Sequence, residues 1–145
     1  MKFVVQRVKK AAVKVDHQVV GKINSGMMVL IGFKIGDDFS VFDRSIEKLL
    51  NLRIFQDENG LMNLSLNDAK KEILVVSQFT LYGDASKGNR PSFIHSLAKE
   101  KAQIFYDEWM KRLKVILPQA QSGTFSADME IEMCADGPVT ILMEF

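Results

Sequence analysis

The sequence predicts one mixed α/β domain with more strand than helix, and three observations carry that expectation. Strand-length apolar runs recur along the chain between turn residues, at residues 2–15, 18–24, 27–31 and 73–76. Two stretches alone show helical spacing of their apolar residues. The chain has 145 residues, enough for a single core that buries roughly 68–70% of the unfolded surface.

The first two strands read as a β-hairpin, because Val and Ile alternate with Lys and Gln and the pair Asp16-His17 supplies turn chemistry between them. Residues 27–31 form a continuous apolar run between Gly26 and Gly32, which predicts a buried strand. Phe42, Ile46, Leu49 and Leu50 then recur at helical spacing. Ser40 with Asp43 three residues later resembles a capping box, so a helix of about three turns is expected. Residues 53–55 and 61–63 read as short extended pieces joined through Asp57-Glu58-Asn59-Gly60, and residues 73–76 as a second buried strand.

After a polar loop from Gly83 to Pro91, the residues Ala98, Ala102, Phe105, Trp109 and Leu113 mark a long amphipathic helix that ends before Pro118. Residues 123–125, 129–133 and 139–145 complete the expected order as three further strands. No linker, repeat or low-complexity tract breaks the chain, so residues 1–145 are expected to form a single domain.

The hydrophobic fraction of 47% and charged fraction of 26% are those of an ordinary soluble domain. No apolar run approaches the roughly 18 residues that span a bilayer, and the start lacks an apolar signal region, so a cytoplasmic protein without a membrane partner is expected. Cys134 is the sole cysteine; an internal disulfide is impossible, and the thiol reads as a small buried hydrophobe. The net charge of +1 hides an asymmetry. Residues 1–24 carry six lysines and arginines against Asp16, whereas residues 122–145 carry acids alone. A basic ribbon of that kind either gathers phosphates or is simply a solvated face.

Standard hydrolytic machinery is not apparent. Ser77 follows a buried strand but lacks the Gly-x-Ser-x-Gly turn of an α/β-hydrolase, and a triad with His95 and Asp84 has no support from spacing. His17 lies in the hairpin turn. The pairs Asp37-Asp38 and Asp57-Glu58 sit in turn-like stretches without a further ligand, so neither a metal nor a cofactor is implied. Two features remain. In Ser77-Gln78-Phe79-Thr80 a buried strand ends in polar side chains around one aromatic, as ligand-contacting strand ends do; taken alone, it reads first as a strand passing to the surface. In Asp136-Gly137-Pro138-Val139-Thr140, glycine permits unusual backbone angles and proline removes a donor; a plain turn heading a strand is the alternative.

Together these two segments resemble the signature motifs of the D-aminoacyl-tRNA deacylase family. The resemblance extends over nearly the whole chain, through Gln6-Arg7-Val8, Arg53-Ile54-Phe55, Asn59-Gly60, Met62-Asn63-Leu64, Arg90-Pro91-Ser92-Phe93, Gly123 with Phe125, and Ala127-Asp128-Met129. One position departs: the family pattern has an asparagine before Asp-Gly-Pro-Val-Thr, where this chain has Ala135.

The resemblance implies a three-layer α/β/β fold with a barrel-like sheet and two main helices, assembled as a homodimer. It also implies hydrolysis of the ester between a D-amino acid and the terminal adenosine of tRNA, with glycine removed from mischarged tRNA as well. The partner is then tRNA rather than DNA. Ser77, Gln78, Phe79 and Thr80 would form the catalytic segment. Gly137 and Pro138, joined by a cis bond, would reach into the partner subunit's site and exclude the L side chain with backbone carbonyls. Lys87 and Arg90 are expected tRNA contacts. The family's Thr80 hydroxyl has been regarded as a nucleophile. The absence of an adjacent base favours instead a water assisted by the substrate's own 2′-hydroxyl, held near the backbone N–H groups of Phe79 and Thr80.

Overall fold

The computed structural model describes residues 1–145. Strand β1 (Lys2–Val15) turns into β2 (Gln18–Ile23) through Asp16 and His17, both at positive φ (49° and 64°). That is the backbone hand a two-residue hairpin loop requires, and Asp and His tolerate it better than most residues. β3 (Gly26–Gly32) then runs antiparallel to the first half of β1, from Val8↔Gly26 to Lys2↔Gly32. β2 occupies the second half of that same edge, from Ala11↔Ile23 to Val15↔Gln18. The opposite edge of β1 is taken by β8 (Glu130–Glu144), from Lys14↔Glu130 to Lys2↔Glu144.

Two parallel partners complete the sheet: β6 (Glu72–Ser77) beside β3, and the short β7 (Gln121–Ser122) beside β6. The order β2-β1-β3-β6-β7 curls until its ends approach. A Cβ on Gly21 of β2 would lie 2.6 Å from the Ser122 carbonyl oxygen of β7, so glycine alone admits this approach. The sheet is therefore a nearly closed barrel.

Both faces of the central strands are buried, which is why they read as unbroken apolar runs. Leu74 and Val76 of β6 point into the barrel, with Val8, Ala11, Val13, Ile23 and Met28. Ile73 and Val75 point the other way, into a larger core under α1 (Phe42–Leu50) and α2 (Lys99–Ile116). Trp109 of α2, fully buried, donates from Nε1 to Ser45 Oγ of α1 at 2.9 Å. The Tyr106 hydroxyl donates to the Val75 carbonyl at 3.0 Å, pinning α2 to the sheet, and burial pushes the phenol's pKa up. A small hairpin, β4 (Phe55–Gln56) and β5 (Met62–Leu64), packs beside this body.

Three local expectations are corrected. Ser40 does not cap α1. The Asp38 carboxylate accepts the Ser40 N–H at 2.7 Å and starts a 3-10 turn at Phe39–Val41, while Asp43 pairs with Arg112 at 3.1 Å. An acceptor two residues upstream was better placed for the free N–H groups than Ser40 itself. Residues 123–125 are not a strand; the pairing belongs to Gln121–Ser122. The pieces at 129–133 and 139–145 are one strand, β8, and the Gly137-Pro138 segment is an excursion within it rather than a turn before it. Proline is tolerated there because β8 pairs with β1 alone and lies at the sheet edge.

Candidate active site

The parallel strands β3 and β6 end side by side, and a cavity of about 510 Å³ opens beyond their carboxyl ends. That is the usual place for a ligand in a sheet with parallel strands. Ser77, Gln78 and Phe79 form one wall; Lys99 at the start of α2 and the segment from Phe125 to Met129 form others. The Gln78 N–H donates to the Ile31 carbonyl at 2.7 Å, which keeps this strand end on the sheet after regular pairing stops. The chain then tightens into a 3-10 turn at Phe79–Tyr82. The N–H groups of Phe79 and Thr80 head that turn, where a first turn leaves donors without intrahelical partners. Gln78 Nε2 donates to Thr80 Oγ1, and Ser96 Oγ donates to the Phe79 carbonyl at 3.1 Å. Ser77, Gln78 and Phe79 thus share one cavity, whereas Thr80, in the turn, does not line it.

The expected partners of this segment are elsewhere. His95 and Asp84 line a separate open cleft with Lys2 and Tyr82, so no Ser77–His95–Asp84 triad assembles. Lys87 and Arg90 are exposed in the loop after the first motif, closed by reciprocal 2.8 Å bonds between Asp84 and Ser92. Neither lines the cavity. The expected buried Cys134 is exposed on β8, because the strand turns that position outward at the edge. The basic ribbon is partly neutralised by the acidic one: Lys14 Nζ lies 2.5 Å from Glu132 across the β1–β8 pair. No group of three or more His, Cys, Asp or Glu side chains could hold a metal, and no helix is long and apolar enough to cross a membrane.

Gly137 and Pro138 do not line the cavity of their own chain. Pairing with β1 passes from Thr140↔Gln6 to Ala135↔Val8, so Asp136, Gly137, Pro138 and Val139 all stand opposite Arg7. Gly137 adopts φ +117°, a conformation open to glycine, and the Gly137-Pro138 bond is cis. Arg7 is buried; its Nε donates to the Asp136 carbonyl at 3.3 Å and sits 3.1 Å from the Asp136 carboxylate, while Nη1 donates to the Ile54 carbonyl at 2.5 Å. Gln6, also buried, bonds to Val139 and Thr140. Sequence reading quoted Gln6 and Arg7 without giving either a role. The signal was present: two adjacent polar residues interrupt the apolar stretch from Phe3 to Val8, and buried polar groups occur where they are bonded.

A model of the D-Tyr-tRNA(Tyr) deacylase family matches residues 4–144 of this sequence. The chain belongs to that family. It is an enzyme of the deacylase class. Among similar proteins, the D-aminoacyl-tRNA deacylases of Clostridium tetani (strain Massachusetts / E88) and Syntrophus aciditrophicus (strain SB) are each 49% identical over 144 residues, covering 99% of this chain and 97% of the relative. A solved structure described as a c-Myc DNA Unwinding Element Binding Protein superposes with a TM-score of 0.94 at 38% identity, over 100% of this chain and 99% of that one. A probable eukaryotic D-amino acid tRNA deacylase shares the fold, with a TM-score of 0.84 at 20% identity over 98% and 97% of the two chains.

Proposed function

We propose that this protein is a cytoplasmic editing hydrolase that cleaves D-aminoacyl-tRNA, and glycyl-tRNA, to free amino acid and tRNA while refusing the L form. The observation that carries it is the support of the Gly137-Pro138 corner. A glycine–proline pair on an exposed sheet edge is gripped from both sides by buried polar residues, yet does not line the cavity beside Ser77, Gln78 and Phe79 of its own chain. So much support for an outward-facing corner makes sense if it serves a second subunit's cavity. β8 pairs with β1 alone and exposes Met133 and Leu142 along its length, a surface suited to burial in a homodimer.

Selectivity then works by exclusion. The Asp136 and Val139 carbonyls already accept bonds from Arg7 and Gln6, and Gly137 and Pro138 have no partner on β1. Backbone carbonyls aimed at the space of an L side chain would leave that group clashing and an acceptor desolvated. A filter of this kind has no hold on an amino acid without a side chain, so glycine passes. Hydrolysis itself asks little of the protein, since an aminoacyl ester is already activated. The N–H groups of Phe79 and Thr80 serve as oxyanion donors, each donor contributing about 3 kcal/mol in such sites. Thr80 Oγ1 accepts from Gln78 and has no basic side chain bonded to it, so the attacking water relies on the substrate's 2′-hydroxyl.

Incubation with D-Tyr-tRNA, L-Tyr-tRNA and D-tyrosine methyl ester separates the alternatives. Fast release from D-Tyr-tRNA alone is expected. No release from either tRNA would indicate a binding module that has lost catalysis, and cleavage of the methyl ester would indicate a small-molecule esterase.

A further inference from the structure

One side chain beneath the Gly137-Pro138 corner has a chemistry out of keeping with its place. Gln6 is 8% exposed and, with Arg7, interrupts the apolar stretch Phe3-Val4-Val5…Val8 of β1. Its Nε2 donates to the Val139 carbonyl at 3.2 Å and to the Arg7 carbonyl at 3.3 Å, and its Oε1 accepts from Thr140 Oγ1 at 2.5 Å. Gln6↔Thr140 is also the pair at which the register between β1 and β8 breaks. The corner therefore has two attachments. Arg7 takes the Asp136 side, and Gln6 takes the Val139 side on which β8 returns to the sheet.

The job fits a carboxamide. A single group must donate to a carbonyl and accept from a hydroxyl at once, and the Gln head does both. Glutamate has the same shape, but when ionised it accepts only and would set a negative oxygen against the Val139 carbonyl. Methionine fills the volume and forms neither bond. Gln6 does not line the cavity and bonds to none of the side chains that do; the wall at Ser77–Phe79 is held by β3, β6 and the 3-10 turn.

We propose that Gln6, acting through Val139 and Thr140, is the positioning residue that orients the Gly137-Pro138 corner, and that it sets the discrimination between D and L substrates rather than the rate on the D substrate. This rests on the deacylase function proposed above. A filter that excludes by contact tolerates little displacement: misplacing a group by about 1 Å changes rates by about 100-fold in oriented sites. Releasing one of two attachments moves the corner, whereas the opposite wall of the site stays in place.

The test is single-turnover deacylation of D-Tyr-tRNA and L-Tyr-tRNA by the full-length protein and its variants Gln6→Glu, Gln6→Met, Thr140→Val and Thr140→Ser. Both Gln6 variants are expected to raise the L-to-D rate ratio about tenfold or more, with the D rate changed by less than about threefold. Thr140→Val should raise the ratio in the same way, Thr140→Ser should keep it near wild type, and Gln6→Glu/Thr140→Val should do no more than either single change, because the two residues act as one unit. If the wild-type protein cleaves neither tRNA the deacylase function falls, and if it cleaves both alike its D-selectivity falls; either result takes this proposal with it. If the wild type discriminates and folded variants keep its ratio within about twofold while D activity falls in step with melting temperature, the proposal alone is overturned. Should neither Gln6 variant fold, Thr140→Val decides: a raised ratio supports the assignment, and an unchanged one removes it.

Discussion

Residues 77–80 and residues 136–140 are the two segments proposed to form the site, and the chain builds them by opposite means. The first is local. Gln78 bonds to Thr80 two residues on, the strand end is held by its sheet neighbour Ile31, and the segment walls a cavity within its own chain. The second depends on distant residues: Arg7 and Gln6 bond to positions 129 to 134 residues later in the chain. It stands on an exposed edge, away from the cavity that Ser77, Gln78 and Phe79 line. A segment that shapes a pocket can be recognised from that pocket, whereas one that projects outward shows its purpose in what holds it up.

If the corner is the selective element, Gly137→Ala has the largest effect. A Cβ there would lie 3.0 Å from both the Arg7 guanidinium and the Val139 side chain, and φ of +117° is strained for any L residue. The expected loss is about 1–3 kcal/mol in urea unfolding, with L-Tyr-tRNA hydrolysis appearing; a stable variant that still refuses the L form would break the contrast. On the other side, Thr80→Ala and Thr80→Ser should each keep D-Tyr-tRNA hydrolysis within about tenfold of wild type, measured as single-turnover rates. Loss of all activity in both, with the fold intact, would make Thr80 the nucleophile.

Arg90→Ala sharpens the comparison outside both segments. The exposed loop after the first motif is expected to contact phosphate, so the slope of log binding constant against log salt should fall by about 1 for tRNA. An unchanged slope removes Arg90 from the contact set.

The smallest effect concerns the hairpin whose Ile54 carbonyl receives Arg7. Asp57 accepts the N–H groups of Leu61 and Asn59 and the amide of Asn63, and the Leu61 bond chiefly holds its carboxyl below the usual carboxylate range. A lowered folded value means that its stabilisation is fully present above the unfolded pKa of about 3.9 and is lost as pH falls through the lowered value. Asp57→Asn should therefore melt below wild type at pH 7, and the gap should close as pH falls under about 4; a gap independent of pH would contradict the assignment.

Much of the fold was legible because period and turn chemistry agreed. The Asp16-His17 hairpin, the buried strands at 27–31 and 73–76 and the long helix stand where alternation and spacing put them. The errors share a cause. Ser40, the piece at 123–125 and the split of β8 at Gly137-Pro138 were read from neighbours in sequence, while partners in space decided them: Asp38 for the cap, β6 for the pairing, β1 for the continuous strand. For the same reason the Ser77 to Thr80 segment could be suspected from a strand end and Gln6 and Arg7 from their place in an apolar stretch, but what those two hold could not, since nothing within a dozen residues shows it.

The claim most open to direct test is that the corner of one subunit completes the cavity of the other. Heterodimers carrying two different tags, one subunit Gly137→Ala and the other Thr80→Pro, which removes one of the two oxyanion N–H donors, isolate a single site with an intact cavity and an intact corner from different chains. Such dimers should cleave D-Tyr-tRNA and leave L-Tyr-tRNA intact. Heterodimers that cleave the L form as Gly137→Ala homodimers do would show that each corner serves its own chain and would contradict the account.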